Sequence, residues 1–151
     1  MKSGHARTLT VRSRRYRVDM SAIASFDDLA AEPFVSLTTF RRSGEAVSTP
    51  VWIARDGDDL IVTTPKDSGK VKRLRNSGEV ELRPCDRMGK VKTGAPMVAG
   101  TAAIFDDDAS REHVTGLFRA KYRAEYRIFM FIERLGRSGR KNRVMLRIRA
   151  V

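Results

Sequence analysis

The sequence predicts a mainly β protein, an antiparallel barrel of about six strands with a few short helices. Two observations lead to this prediction. Segments rich in β-branched and aromatic residues recur along the chain, and Gly, Asp, Asn and Ser residues separate them. In addition, 151 residues are enough for a single hydrophobic core but not for two.

Residues 1–19 differ from the rest of the chain. They show no sustained apolar period and contain six Lys or Arg residues against a single carboxylate, Asp19. This composition favours a disordered basic arm over a packed element. We therefore predict an arm at residues 1–19 and a folded domain at residues 20–151, which begins with a short helix that ends before Pro33.

Three strands are predicted next. The first runs from Phe34 to Phe40 and, after a polar turn, the chain returns as a second strand from Ala46 to Ala54. Asp56-Gly57 lies between two strand patterns and is a strong signal for a tight hairpin. The third strand then runs from Asp59 to Thr64.

The stretch from Leu60 to Asn76 predicts a buried strand, a tight polar turn and a short helix. Ser68 is placed to cap that helix, and Gly69 lets another molecule approach the backbone. Free backbone N–H groups, the positive end of the helix dipole and Lys70 then meet at one place, which is typical of a phosphate or carboxylate site. The same residues are equally compatible with an ordinary capped helix that has a solvated basic face.

The remaining strands follow a helix stop at residues 76–78. A fourth strand is predicted from Glu79 to Pro84, a fifth from Pro96 to Phe105 and a closing strand from Val144 to Ala150. Polar residues 85–95 join the fourth strand to the fifth.

A helical region is predicted between the last two strands. Asp106 to Asp108 supply carboxylates at its N-terminal end. Apolar residues then recur at three- and four-residue spacing from Leu117 and Ala120 to Leu135, and a basic turn occupies residues 136–142. Gly116 leaves open whether this region is one helix or two.

Composition limits the possible functions. The formal charge of +12 and the pI of about 10.7 imply an anionic partner. Cys85 is the only cysteine, and no signal peptide or membrane-spanning run is visible, which favours a cytoplasmic protein. Metal-ligand spacing is absent, and Thr64 and Val71 stand where a Walker A loop needs Gly and Ser or Thr. With no nucleophile or acid–base pair, we predict no catalytic side chain, so that a bound cofactor would supply the chemistry.

Three consecutive segments now permit a family comparison. F-V-S-L-T-T-F at 34–40, V-S-T-P-V-W at 47–52 and D-D-L-I-V-T-T-P-K-D-S-G-K-V-K-R-L at 58–74 resemble the pyridoxamine-phosphate-oxidase-like superfamily. More narrowly, they look like its branch of deazaflavin-dependent reductases that use coenzyme F420. The likeness is good from Phe26 to Gly100 and looser in the C-terminal third, and the basic arm has no counterpart.

The resemblance implies a split β-barrel that forms a homodimer, with two cofactor sites at the subunit interface. In such proteins one segment lies along the ring system of the cofactor, and a second segment holds its phosphate. Carried over residue by residue, the cofactor-binding positions are Ser48, Thr49, Pro50, Val51 and Trp52 for the ring, and Thr63, Thr64, Ser68, Gly69, Lys70 and Arg73 for the phosphate. Trp52 is equally compatible with a core aromatic residue on a strand.

The leading hypothesis is a coenzyme F420-dependent oxidoreductase that reduces an unsaturated small-molecule substrate. FMN also ends in a phosphate, so an FMN-dependent oxidoreductase and a non-catalytic F420-binding protein stay open as alternatives. Positive charge favours the deazaflavin, whose tail carries glutamate, and candidate tail contacts are Arg41, Arg42, Arg87 and Lys90. A nucleic-acid-binding barrel is disfavoured because only 7% of the residues are Phe, Trp or Tyr.

Overall fold

The computed structural model describes residues 26–123 and 142–151 of the chain. Seven strands and three helices are present in these ranges. The strands are β1 (Val35–Phe40), β2 (Ala46–Val51), β3 (Ile53–Asp56), β4 (Asp59–Pro65), β5 (Glu79–Pro84), β6 (Val98–Phe105) and β7 (Arg143–Ala150). The helices are α1 (residues 26–31), α2 (Gly69–Asn76) and α3 (Asp108–Tyr122).

All seven strands form one antiparallel sheet in the order β2-β1-β5-β6-β7-β4-β3. The two edge strands, β2 and β3, are consecutive in the chain, and only Trp52 separates them. Because a single residue joins strands at opposite edges, those edges must lie side by side, and the sheet curls on itself. The predicted antiparallel split barrel with short helices is confirmed.

The strand predicted from Ala46 to Ala54 is not continuous. It breaks at Trp52, so the sheet has seven strands where about six were expected. The break occurs because the first half pairs with β1, where Val51 lies opposite Val35, and the second half pairs with β4, where Ile53 lies opposite Val62. The chain therefore changes partner strand within two residues.

The main core lies inside the curled sheet. Alternate residues of each strand point inward, and β4 shows the pattern well, since Leu60 and Val62 join this core. Ile61, between them, points outward and packs beneath α3. Both faces of β4 are therefore buried, which explains its uninterrupted apolar run.

Helix α3 covers the outer face of β3, β4 and β7. It begins after Asp107, whose carboxylate accepts a hydrogen bond from the backbone N–H of Ser110 at 2.9 Å, so the predicted acidic cap is confirmed. The helix runs through Gly116 without interruption. Its buried residues are Val114, Phe118 and Tyr122. Of the predicted stripe, Leu117 is half-buried against this cluster, Ala120 is exposed, and the later positions lie outside the described ranges.

Several sequence predictions fall outside the described ranges. The basic arm and the later part of the helical region, residues 124–141, are among them. Within the ranges that are described, no helix has the length and apolarity needed to cross a membrane. β6 begins at Val98 rather than at Pro96, because proline has no N–H to donate to the sheet.

Two glycines should respond in opposite directions to replacement by alanine. A Cβ on Gly100 would lie 2.9 Å from the carbonyl oxygen of Arg149 and 2.9 Å from Cγ2 of Ile148, and a backbone atom cannot simply rotate away. We expect Gly100→Ala to lower the free energy of unfolding by about 1–3 kcal/mol. Gly116 has nothing within 4 Å of that position, and Gly116→Ala should raise the free energy of unfolding by about 0.5–1 kcal/mol through helix propensity.

Urea unfolding followed by circular dichroism measures both changes. Equal stabilities for wild type and Gly100→Ala would show that β6 and β7 do not approach each other this closely.

Candidate functional site

The polar turn between β4 and α2 forms as the sequence predicts. The backbone N–H of Ser68 donates to the carbonyl of Pro65 at 3.1 Å, which closes the turn. The Ser68 hydroxyl caps α2 by accepting a hydrogen bond from the N–H of Val71 at 3.5 Å, and it lies 3.3 Å from the hydroxyl of Thr64. Ser77 ends the helix at the predicted stop. The first turn of α2 contains no acidic residue, and Asp67, the carboxylate just before the Ser68 cap, is exposed to solvent.

Arg73 extends back over the start of its own helix. Its Nε donates to the hydroxyl of Thr39 on β1 at 2.6 Å. Its Nη1 lies only 2.8 Å from the position that a Cβ on Gly69 would take. Glycine at position 69 therefore lets the guanidinium group lie against the first turn of α2.

Arg143 is a member of this site that the sequence did not reveal. It is the first residue of β7 and lies opposite Pro65 of β4 in the sheet. Its Nε donates to the Thr63 hydroxyl at 3.1 Å, and its Nη2 donates to the Thr63 carbonyl at 3.0 Å. These two bonds fix the guanidinium group beside the turn that precedes α2.

Lys70, Arg73 and Arg143 together form what we call the cation cluster. Burial lowers the pKa of Lys70 below its ordinary value of 10.5, and the charges of Arg73 and Arg143 lower that pKa further. Burial also lowers the pKa of Arg143, and burial followed by the charge of Arg41 lowers the pKa of Arg73. A lowered pKa means that the charged, protonated form of each side chain is less stable in the folded protein than in water.

The cation cluster lacks a counter-charge among the residues that the structure describes. Across residues 26–123 and 142–151, none of its three side chains forms an ion pair with a carboxylate. Partly buried charges are normally paired, because removing them from water is unfavourable. Three cations at a helix N-terminus match a phosphate group, which accepts hydrogen bonds from guanidinium groups and from backbone N–H groups.

The predicted ring segment, Ser48 to Trp52, lies along the edge strand β2 and its junction with β3. The Ser48 hydroxyl is 2.6 Å from the hydroxyl of Thr38 on β1. The Thr49 hydroxyl is buried and has no hydrogen-bond partner in the described part of the chain. Pro50 is exposed, whereas Val51 belongs to the main core.

Trp52 packs in the cluster beneath α3. Its ring is half-buried, and its centroid lies 6.4 Å from that of Tyr122. Within the described ranges, no hydrogen bond joins Ser48, Thr49 or Val51 directly to the cation cluster. The two parts are linked through Thr39, which binds Arg73 and pairs with Val47 of β2.

Loop 85–97 reaches the outer side of this segment. Asp86 holds its first turn by accepting hydrogen bonds from the N–H groups of Met88 and Lys90, both at 2.9 Å. Gly89, at φ +90°, lies against the ring of Pro50, since a Cβ there would be 3.2 Å from the Pro50 Cδ. Cys85 lies just past β5 and pairs with Val91 in an isolated bridge.

Two of the four candidate tail contacts lie at a surface cavity of about 750 Å³. Arg41 is bound to Glu45 at 3.2 Å, and Arg42 donates twice to the side-chain oxygen of Asn76 at 3.3 Å. Both line the cavity, together with Glu79 and Glu81. The other two candidates, Arg87 and Lys90, lie in the loop that contacts Pro50.

The sequence profile of the pyridoxamine 5'-phosphate oxidase family matches residues 22–151. The chain belongs to this family. Its members bind flavin-type cofactors, and the family likeness predicted from the three sequence segments is confirmed at this level.

Solved structures show the same fold at low sequence identity. One is an F420 reductase, 18% identical, with a TM-score of 0.57 and coverage of 83% of this chain and 92% of that one. Another is general stress protein 26 of Bacillus anthracis, 19% identical, with a TM-score of 0.56 and coverage of 86% and 87%. No curated protein sequence matches the chain significantly.

Replacing Lys70 by methionine should stabilise the ligand-free protein. The change removes the charge that burial and two arginines oppose, and it keeps most of the side-chain length. We expect the free energy of unfolding at neutral pH to rise by a few tenths to about 1 kcal/mol. Lys72→Met, on the exposed side of the same helix, should change it by less than about 0.5 kcal/mol.

The stabilisation by Lys70→Met should also depend on pH. At neutral pH, Lys70 is charged in both the folded and the unfolded chain, so wild type carries the full unfavourable interaction. As pH rises through the lowered pKa towards 10.5, the folded wild-type protein releases its proton first, and the advantage of the variant should shrink. Urea unfolding between neutral pH and pH 10.5 would measure the difference in free energy of unfolding between the variant and wild type. A difference that grows with pH would contradict the claim that the neighbouring cations and burial disfavour the charge of Lys70.

Proposed function

We propose that this protein is a coenzyme F420-dependent oxidoreductase that reduces an unsaturated small-molecule substrate. When bound in its reduced form, the deazaflavin supplies a hydride to the substrate, and solvent supplies the proton that completes the reduction. The family, with its flavin-type cofactors, supports a redox function. The observation that carries the proposal is the cation cluster, which has no carboxylate partner in the described ranges.

In this proposal the cation cluster holds the phosphate of the cofactor. Lys70 contributes a compact charge, and the guanidinium groups of Arg73 and Arg143 contribute planar pairs of donors. Thr39 and Thr63 hold the two guanidinium groups in place before the ligand arrives. Such preorganisation limits the entropy lost when the phosphate binds.

The ring system would then lie along Ser48 to Trp52. Pro50 has no N–H for another strand, and it lies in the edge strand β2, where a ligand can take the place of a neighbour. The buried Thr49 hydroxyl lacks a partner in the described ranges, which fits a segment whose surroundings are completed by other groups. The side chains of this segment position the ring and exclude water, and none of them is assigned a proton-transfer role.

The proposal includes a homodimer with its two sites at the subunit interface. Loop 85–97 supports this arrangement, because it exposes apolar side chains beside the ring segment. Met88 is 83% exposed, and Met97 and Val91 are exposed to 40% and 37%. A second subunit that packs on this loop would bury these side chains and enclose the ring.

Coenzyme F420 is preferred over FMN because of the charges beyond the cluster. Arg41 is close enough to Arg73 to lower its pKa, and it lines the neighbouring cavity with Arg42 and two glutamates. The two arginines are the groups there that would pair with a tail that carries glutamate. FMN stays the second candidate, because its phosphate would fit the cation cluster equally well.

One titration separates the candidates. Purified protein is mixed with coenzyme F420 and, separately, with FMN, and binding is followed by the absorbance and emission of each ring. We expect F420 to bind more tightly than FMN. Tighter binding of FMN would favour the flavin enzyme, and binding of neither would overturn the proposal. Binding of F420 without reduction of any compound in a panel of unsaturated substrates would favour the non-catalytic alternative.

Lys70→Ala should weaken F420 binding by about ten- to a hundredfold while the protein stays folded, because one charge-assisted hydrogen bond contributes about 1.5–3 kcal/mol. Lys72→Ala, two residues away and exposed, is the matched control, and its affinity should stay within about twofold of wild type. Equal affinities for Lys70→Ala and Lys72→Ala would exclude Lys70 from the site.

A further inference from the structure

The C-terminal end of α3 holds the junction between β2 and β3. Tyr122 is 1% exposed, and its hydroxyl accepts a hydrogen bond from the N–H of Ile53 at 3.1 Å and donates to the carbonyl of Pro33 at 2.8 Å. The ammonium group of Lys121 donates to the carbonyls of Ile53 at 2.6 Å and Glu32 at 2.7 Å. Two neighbouring side chains of α3 therefore bind both backbone polar groups of Ile53.

The hydrogen bonds of Tyr122 and Lys121 to Ile53 lie on the side of β3 that has no neighbouring strand. β3 is an edge strand, so the backbone groups on its free side need partners from outside the sheet. Ile53 is fully buried, and water cannot provide them. The same two side chains also bind the carbonyls of Glu32 and Pro33, just before β1. They thus tie the residues just before β1 to the start of β3.

The ring segment lies between two fixed points. At one end, the Ser48 hydroxyl is 2.6 Å from that of Thr38. At the other end, Ile53 is held by α3, and Trp52 packs with its ring centroid 6.4 Å from that of Tyr122. Tyr122 is itself stacked on Phe118 at 5.9 Å, so it has little freedom to move. Ser48 to Val51 are paired with β1, and the end of the segment at Trp52 depends on the position of α3.

We propose that Tyr122 and Lys121 are positioning residues for the ring of the cofactor. They act through Ile53. Because these two side chains hold its backbone in place, they help to fix the orientation in which Ser48 to Trp52 contact the ring. This inference rests on the proposed function. It separates ring binding from phosphate binding, because Thr39 and Thr63 hold the guanidinium groups of the cation cluster. Helix α3 contacts the cluster at the backbone carbonyl of Arg143, through Arg111 at the opposite end of the helix from Tyr122.

Tyr122→Phe tests the inference, because it removes only the hydroxyl group. Variant and wild type are titrated with the ring cofactor that wild type binds and, separately, with inorganic phosphate. We expect the affinity for the cofactor to fall about tenfold, because the junction loses the hydrogen bonds of the Tyr122 hydroxyl to Ile53 and Pro33. The affinity for phosphate should stay within about twofold of wild type, since the cluster is held independently.

Trp52 provides a signal that does not require a ligand. It is the only tryptophan of the chain, so all tryptophan fluorescence comes from the β2–β3 junction and its contact with α3. We expect its emission to move to longer wavelength in Tyr122→Phe as the junction loosens. Thr115→Val is the control on the same helix: it removes a hydroxyl that binds only the carbonyl of Arg111 at 2.8 Å, and it should leave all three readouts unchanged.

Lys121→Met serves as a second variant where Tyr122→Phe does not fold, and the same pattern is expected of it. Unchanged cofactor affinity, or an equal loss of affinity for cofactor and phosphate, would overturn the inference, as would the failure of both variants to fold. If wild type binds neither F420 nor FMN, the proposed function and this inference fall together. If wild type binds and Tyr122→Phe binds equally well, only this inference falls.

Discussion

Unbalanced positive charge at the start of α2 is the constraint on which the functional interpretation depends. Lys70, Arg73 and Arg143 come from two different elements, and burial makes the charge of each unfavourable. The two arginines add to this effect at Lys70, and Arg41 adds to it at Arg73. A fold selected only for stability would place a carboxylate here or keep the cations apart. The arrangement becomes favourable when an anion with several acceptor oxygens binds between them.

The barrel brings these cations together through its strand order. β4 leads directly into the turn and α2, and β7 pairs with β4 so that Arg143 arrives beside that turn. The pairing also lets Thr63 bind the Arg143 guanidinium from both its hydroxyl and its carbonyl. On the other side, Thr39 of β1 holds Arg73. The site is therefore built on strands and on helix α2, which hold geometry better than loops do.

A second structural requirement concerns the run from β2 to β3. This run joins both edges of the sheet, so it closes the barrel and also forms the surface assigned to the ring. The two roles meet at Trp52 and Ile53, where strand pairing changes and α3 supplies the missing hydrogen bonds. The hydrogen bonds between α3 and Ile53 therefore help both to close the barrel and to position the ring segment.

Local signals in the sequence were enough for most of the fold. The Asp56-Gly57 hairpin, the Ser68 cap and the Asp107 cap are short-range features, and each is found in the structure. The break at Trp52 has no such signal, because V-W-I reads as one apolar strand and the change of partner is a property of the whole sheet. Arg143 was missed for a related reason, since its contact with Thr63 spans 80 positions of the chain.

The site was only partly predictable for the same physical reason. The motif around Ser68, Gly69 and Lys70 is contiguous, so its chemistry can be read from the sequence. Tyr122 lies 69 positions from Ile53, and the apolar period did not mark it as buried, because its neighbours Leu117 and Ala120 gave an equally regular stripe. Contacts between residues so far apart in the chain result from tertiary packing, and they can be identified only in the structure.

The most direct test of the central claim is a crystal structure of the protein with coenzyme F420 bound. The structure described here predicts the phosphate of the cofactor between Lys70, Arg73 and Arg143, with the ring against Ser48 to Trp52. A phosphate bound elsewhere, with the three cations left facing solvent, would contradict the claim that this cluster exists to hold it.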